Sequence, residues 1–305
     1  MAEIILHHYA GSLFSEKIRL LLGYLALPWR SVIIPPIMPR PALMPLTGGY
    51  RRTPVMQEGA DVFCDTRIIA ERLAARAGRS ELCAGFNVNR VAEWADSQLF
   101  RVAVAVTFQP RAVVATMKGL SETDISAFQQ DRAALTQGAA LVTITAPAAE
   151  SHLAAYLADL DHALDGAFLF GTEPTLADFS VYHCLWLIAN NSVVAPLLAG
   201  YSRVTAWRER MAAFGHGAVQ ELPAAEALAI GRAATPAPIR DTSTARLPDG
   251  IALGGTVSIT PTDYGLIPVR GELVVASARE FAVRRRDEQA GEIVVHFPRI
   301  GFAVS

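Results

Sequence analysis

The sequence predicts three folded parts in a row: an α/β unit over residues 1–77, an all-helical unit over 87–234, and a small all-β unit over 240–305. Three observations predict this. Short strand-like runs alternate with amphipathic helical segments at the start. An Ala- and Leu-rich stretch with helical periodicity and almost no strand signal follows. After Pro236-Ala237-Pro238, a linker signature, the texture turns to short strands separated by turns. With 305 residues and 51% hydrophobic content, the chain is long enough for a core in each part.

In the first part, residues 4–8 read as a strand. Residues 15–25 read as an amphipathic helix with Ile18, Leu21 and Leu22 on one face, and 29–34 as a second strand. A Pro-rich loop over 35–45 follows. Residues 55–57 and 62–64 flank the turn Glu58-Gly59-Ala60-Asp61 as a hairpin, and 67–76 close the unit as a helix. The order β-α-β then β-β-α is a thioredoxin-like arrangement, a mixed sheet with helices on its faces.

The second part predicts helices over 89–107, 122–139, 148–164, 176–190 and 201–214. Thr175 and Asp178 form a capping box at the start of 176–190. That helix is apolar nearly all round, so it belongs at the domain's centre. The third part predicts strands over 256–260, 272–276, 280–285, 292–296 and 301–304, a small antiparallel sheet or barrel.

Composition excludes several classes. A net charge of −2 offers no basic excess to neutralise phosphates, which argues against nucleic acid as a partner. Cys64, Cys83 and Cys184 are few, odd in number and far apart, so neither a disulfide framework nor a metal site is indicated. A reducing compartment is the simpler reading. No basic n-region precedes the first strand, and the apolar stretches stop short of the roughly 20 residues that cross a bilayer. The expectation is a cytoplasmic protein without membrane contact.

The most informative motif is Thr53-Pro54-Val55, followed after a turn by Asp65-Thr66 at a helix start. A proline where β-structure begins removes a backbone donor. A cis bond before it would turn neighbouring N–H and C=O groups outward, where an extended peptide can pair with them. Asp65 and Thr66 could hold that peptide's charged end, or simply cap the helix. The pattern suggests a small-peptide site, with glutathione as the candidate.

These residues, with Gly171, Thr175, Ala177 and Asp178 at the core helix, make roughly the first 230 residues resemble a cytosolic glutathione S-transferase. Ser12-Leu13-Phe14-Ser15-Glu16-Lys17-Ile18-Arg19 resembles the Ser-Pro-Phe-Ser-x-Arg-Val-Arg segment of the Ser-dependent tau- and zeta-like classes. It also resembles the omega-class segment that carries Cys first. The resemblance implies that Ser12 holds the glutathione thiolate, with Tyr9 and Ser15 as alternatives. It implies that Val55 or Thr53 pairs with the cysteinyl backbone beside Pro54. Asp65 and Thr66 would grip the γ-glutamyl end, and Arg52, or Arg51 in its place, would meet the glycyl carboxylate.

Trp94, Phe100 and Phe108 would wall the pocket for a small apolar electrophile, or be core. The implied activity is a detoxifying transferase acting as a homodimer. The alternatives are a glutathione-dependent isomerase or dehalogenase, or a non-catalytic protein acting through its β tail. The family ends near residue 230, so the tail's role stays open between a lid, a dimer module and a docking surface. Ser12 also reads as a helix N-cap, and His7 and His8 as residues packed on the sheet.

Overall fold

A computed structural model describes residues 2–140, 143–239 and 243–305. The expected third unit begins at residue 240, which lies outside the described residues. The chain opens with β1 (Ile5–His8), α1 (Leu13–Tyr24) and β2 (Trp29–Ile33). β1 and β2 pair in parallel, a geometry that needs a crossover, and α1 is that crossover. The helix starts at Leu13, ahead of its periodic pattern, because Ser12 Oγ accepts from the Ser15 N–H at 3.2 Å. His7 and His8 are buried, on Gln57 and Ser31 respectively. Burial drops both rings to about 4, so they are neutral at pH 7.

The Pro-rich loop leads to α2 (Met44–Thr47), which ends at Gly48 with φ +71°, a left-handed cap suited to glycine. Buried Arg40 ties this loop together. It donates to the carbonyls of Pro35, Pro36 and Arg51 and to Thr53 Oγ1. The hairpin is β3 (Val55–Glu58) and β4 (Asp61–Cys64), and α3 (Thr66–Arg76) follows.

The helical part holds α4 (Phe86–Trp94) and α5 (Phe100–Thr107), which a π turn over Ala95–Leu99 joins into the single long helix the sequence predicts. Then come α6 (Pro110–Thr116), α7 (Glu122–Thr136), α8 (Ala146–Ala163), α9 (Leu176–Ala189) and α10 (Ser202–Ala212). α9 is buried from Leu176 through Leu185 and packs on α1 and α4. Asp178 accepts from the N–H groups of Thr175 and Leu169 and from Trp207 Nε1, which explains it as a structural residue.

After α10 the chain returns to the first unit as β5 (Val219–Glu221), paired with β2, and α11 (Ala224–Ala233). Three exposed residues carry no alternation, so β5 has no sequence signature. The tail supplies β6 (Thr256–Pro261), β7 (Val269–Ala276), β8 (Glu280–Asp287), β9 (Gly291–Pro298) and β10 (Phe302–Val304), which are antiparallel among themselves. They neither close into a barrel nor stand apart. β9 adds in parallel to β4, so ten strands make one sheet in the order β10-β6-β7-β8-β9-β4-β3-β1-β2-β5. The reason is the β4 edge, whose backbone groups need a partner. β9 answers it with Ile293-Val294-Val295-His296-Phe297, buried throughout, as parallel strands covered on both faces are.

Two features close this seam. Gly231 lets α11 lie close on it, since a Cβ there would sit 2.8 Å from Leu46 Cδ2 and 3.2 Å from Gln57 Nε2. His296 is held by Asp61 at 3.0 Å on Nε2 and Glu280 at 2.5 Å on Nδ1, stacked 4.5 Å from Phe63. Among the described residues, no single helix is long and apolar enough to cross a membrane.

Burial alone would lower the His296 pKa, but the bonds to Asp61 and Glu280 raise it above its ordinary value. A histidine favoured in its charged form by folding stabilises fully below its unfolded pKa of about 6.5 and loses that contribution as pH climbs through the folded value. The stability advantage of the native protein over His296→Gln should therefore shrink steadily between pH 6 and 9 in thermal melts. A constant advantage would mean the ring is neutral in the fold.

Candidate functional site

Three parts of the chain meet around one cavity of about 430 Å³, within the usual range for a small-molecule site. Thr53 and Pro54 reach it ahead of β3 across a cis peptide bond, and Asp65 and Thr66 reach it from the start of α3. Phe14 comes from the first turn of α1. Asn89, Ala92, Glu93 and Asp96 come from α4 and the π turn. The tail closes the far side with Asp263 and Tyr264 between β6 and β7, and with Ile300 and Phe302 beside β10.

Asp65 has φ +94°, a region that non-glycine residues rarely adopt and that costs about 1–3 kcal/mol. Its Oδ1 accepts from the Arg67 N–H at 2.9 Å, so it does cap α3. Burial raises its pKa, opposed by that N–H and by Arg52 and Lys17. Strain at a capping residue that also lines a cavity fits a position held for a ligand.

Thr66 Oγ1 accepts from Lys17 Nζ at 3.1 Å, which leaves the Thr66 hydroxyl proton to donate into the cavity. Lys17 is fully buried and pairs with Asp96 at 2.6 Å. Asp96 also meets His183 Nε2 at 3.0 Å and Ser180 Oγ at 3.4 Å. Burial would raise the Asp96 pKa, but Lys17 and His183 hold it down at about 2. Burial lowers the His183 pKa, so a neutral ring donates to Asp96. Lys17, Asp96 and His183 are not among the site residues the sequence predicts. The signal for them was Lys17 beside Ile18 and four residues before Leu21, a charge on the apolar face of α1. A π turn carrying a cavity residue is the kind of irregularity found at functional sites.

The candidate thiol-activating hydroxyls are not in the cavity lining, although Ser12 and Ser15 stand within two residues of Phe14, which is. Ser12 is 3% exposed, and its capping bond spends one oxygen lone pair while leaving the proton available. Ser15 Oγ is buried without a partner. Tyr9 packs against the apolar cluster that includes Ile5, Val32 and Tyr50. Val55 is fully buried at the head of β3, between His7 and Cys64. The three cysteines are free and buried, and burial pushes their thiols up, that of Cys83 to about 12. None of them supplies a thiolate at neutral pH.

Both candidate cations are engaged within the chain. Arg51 pairs with Asp131 on α7. Arg52 lines the cavity but is ion-paired with Asp263, bonded to the Tyr264 carbonyl and stacked 4.0 Å from the Tyr264 ring.

Trp94, Phe100 and Phe108 do not line this cavity. Trp94 packs edge-on against Tyr156, Phe100 backs Phe14 at 5.0 Å, and half-buried Phe108 ends α5. The cavity face of α4 runs through Asn89, Ala92, Glu93 and Asp96 at helical spacing, which turns Trp94 away. The π turn then rotates Phe100 and Phe108 further. The apolar part of its lining is Phe14, Tyr50, Leu176, Ile300 and Phe302.

Two family models match the sequence: the glutathione S-transferase N-terminal domain over residues 6–81 and the C-terminal domain over 132–210. A GST-like protein of known structure from Pseudomonas syringae is 40% identical with TM-score 0.82, covering 99% of this chain and 100% of that one. A glutathione S-transferase III in apo form is 19% identical with TM-score 0.51, covering 70% of this chain and 92% of its own. A glutathione S-transferase from Rhodospirillum rubrum is 18% identical with TM-score 0.52, covering 68% and 87%. The last two share the fold alone, whereas the first extends through the tail. No curated protein matched the sequence.

Removing the Asp96 carboxylate would strand a buried ammonium. Asp96→Ala should destabilise the protein by about 3 kcal/mol in urea unfolding, and Lys17→Met added to it should recover a large part of that loss. A double variant no more stable than Asp96→Ala would rule out the ion pair as the source.

Proposed function

From the premise that this chain belongs to the glutathione S-transferase family, we propose that it binds reduced glutathione in the cavity and transfers it to a small apolar electrophile. The observation that carries this reading is the convergence of Thr53-Pro54, Asp65-Thr66 and the first turn of α1 on one cavity. Asp65, the strained cap, accepts from the γ-glutamyl ammonium. The Thr66 hydroxyl, oriented by Lys17, donates to the neighbouring carboxylate. The backbone at Thr53 and Val55 runs beside the cysteinyl part.

Glutathione supplies the nucleophile as its thiolate. Ser12 donates its free hydroxyl proton to the sulfur, and the amino end of α1 adds positive potential, both of which lower the thiol pKa. Attack forms a carbon–sulfur bond while the leaving group departs with its electron pair. The apolar wall of Phe14, Leu176, Ile300 and Phe302 receives the electrophile. A homodimer in the cytoplasm completes the reading.

A second reading has one observation in its favour. Ser12 is almost wholly buried and already caps α1, as expected if the fold binds glutathione without turnover.

Reduced glutathione at about 100 times its dissociation constant should stabilise the protein by nearly 3 kcal/mol, visible as a rise in melting temperature. No rise at millimolar ligand would sink the reading. Ser12→Ala should keep that rise and lose conjugation by roughly 10²-fold, the scale of one donor to a developing anion. Wild type inert toward a broad panel of electrophiles would favour the non-catalytic reading.

A further inference from the structure

Arg52 is a cation inside the cavity that the chain has already neutralised. We propose that Asp263, on the tail, is a specificity-determining residue: it occupies Arg52 and turns the cavity toward γ-glutamylcysteinyl ligands whose far end is uncharged. The inference rests on the glutathione reading above and deepens it.

The Arg52 guanidinium meets both oxygens of Asp263, NH1 at Oδ2 and NH2 at Oδ1, and NH2 also reaches the Tyr264 carbonyl. Its Nε is buried with no partner among the described residues, and with the side chain 12% exposed little else of the fork opens toward a ligand. With one edge of the guanidinium on Asp263 and NH2 shared with the Tyr264 carbonyl, a ligand carboxylate must compete with Asp263 for the same donors.

The loop carrying Asp263 is fixed. The Gly265 N–H donates to the Leu135 carbonyl on α7 at 2.8 Å, and a Cβ at Gly265 would lie 3.1 Å from Leu135 Cδ1. Asp263 is thus an intramolecular competitor at high effective concentration. Its carboxylate is 46% exposed and is a cavity wall, so it also repels an arriving anion.

The surrounding charges agree. Asp65, Glu93, Asp96 and Asp263 line the cavity against Arg52 and Arg67, and Arg67 already lies 3.7 Å from Glu71 and 3.9 Å from Glu93. Such a cavity favours the ligand's ammonium end and penalises a second carboxylate at Arg52. Esterification of the glycyl carboxylate removes that penalty and leaves the γ-glutamyl end intact.

The test is titration calorimetry of wild type and Asp263→Asn with reduced glutathione and with its glycyl monoethyl ester. Wild type should bind the ester tighter, by about tenfold, the scale of one charge-assisted contact. Asp263→Asn should strengthen free-acid binding by a similar factor, and Arg52→Leu added to it should abolish that gain. Tighter binding of the free acid by wild type overturns the proposal even if no variant folds. An unchanged acid-to-ester ratio in Asp263→Asn overturns it too, and both results leave glutathione binding standing. Failure of both ligands to bind wild type and variant would remove the glutathione reading and this inference together.

Discussion

The parallel pairing of β9 with β4 is the constraint on which the rest depends. Without it, β4 is an edge strand with open donors and acceptors, and the tail is a separate four-strand meander with β10. With it, the two ends of the sequence become one sheet, and residues from both stand on the same cavity. α11 and the His296 cluster only reinforce what this pairing sets.

The local structure was legible in the sequence to the degree that local physics sets it. The capping box of Thr175 and Asp178, the hairpin turn at Glu58 to Asp61 and the apolar core helix all declare themselves through spacing and side-chain chemistry. The thioredoxin-like half was readable for that reason. The union of the tail with the first sheet was not, because β9 makes a partner choice and nothing in its own alternation names β4. β5 was invisible because three exposed residues bury nothing.

The site divides in the same way. Asp65 and Thr66 were found from the helix start they occupy, and Pro54 from the donor it lacks. Lys17 and Asp96 were missed because they come from helices 79 residues apart and matter only as a pair. Trp94, Phe100 and Phe108 stay off the cavity lining for two reasons: Trp94 lies off the face that Asn89, Ala92, Glu93 and Asp96 share, and the π turn shifts the side chains after it around the axis. Arg52 lines the cavity, and its partner Asp263 lies on the tail, 211 positions along the chain, where no local pattern links the two.

One consequence of the mixed sheet concerns birth rather than function. Asp61 and the His296 that meets it are separated by 235 positions along the polypeptide. A ribosome adding about 5–20 residues each second needs on the order of 10–50 s to cover that interval. For all that time β4 has been made and β9 has not, so the nascent chain carries an unpaired, sticky border throughout that interval. The cavity walls donated by Asp263 and Phe302 are made long after Asp65 and Thr66, so the cavity stays open on that side until the tail has emerged.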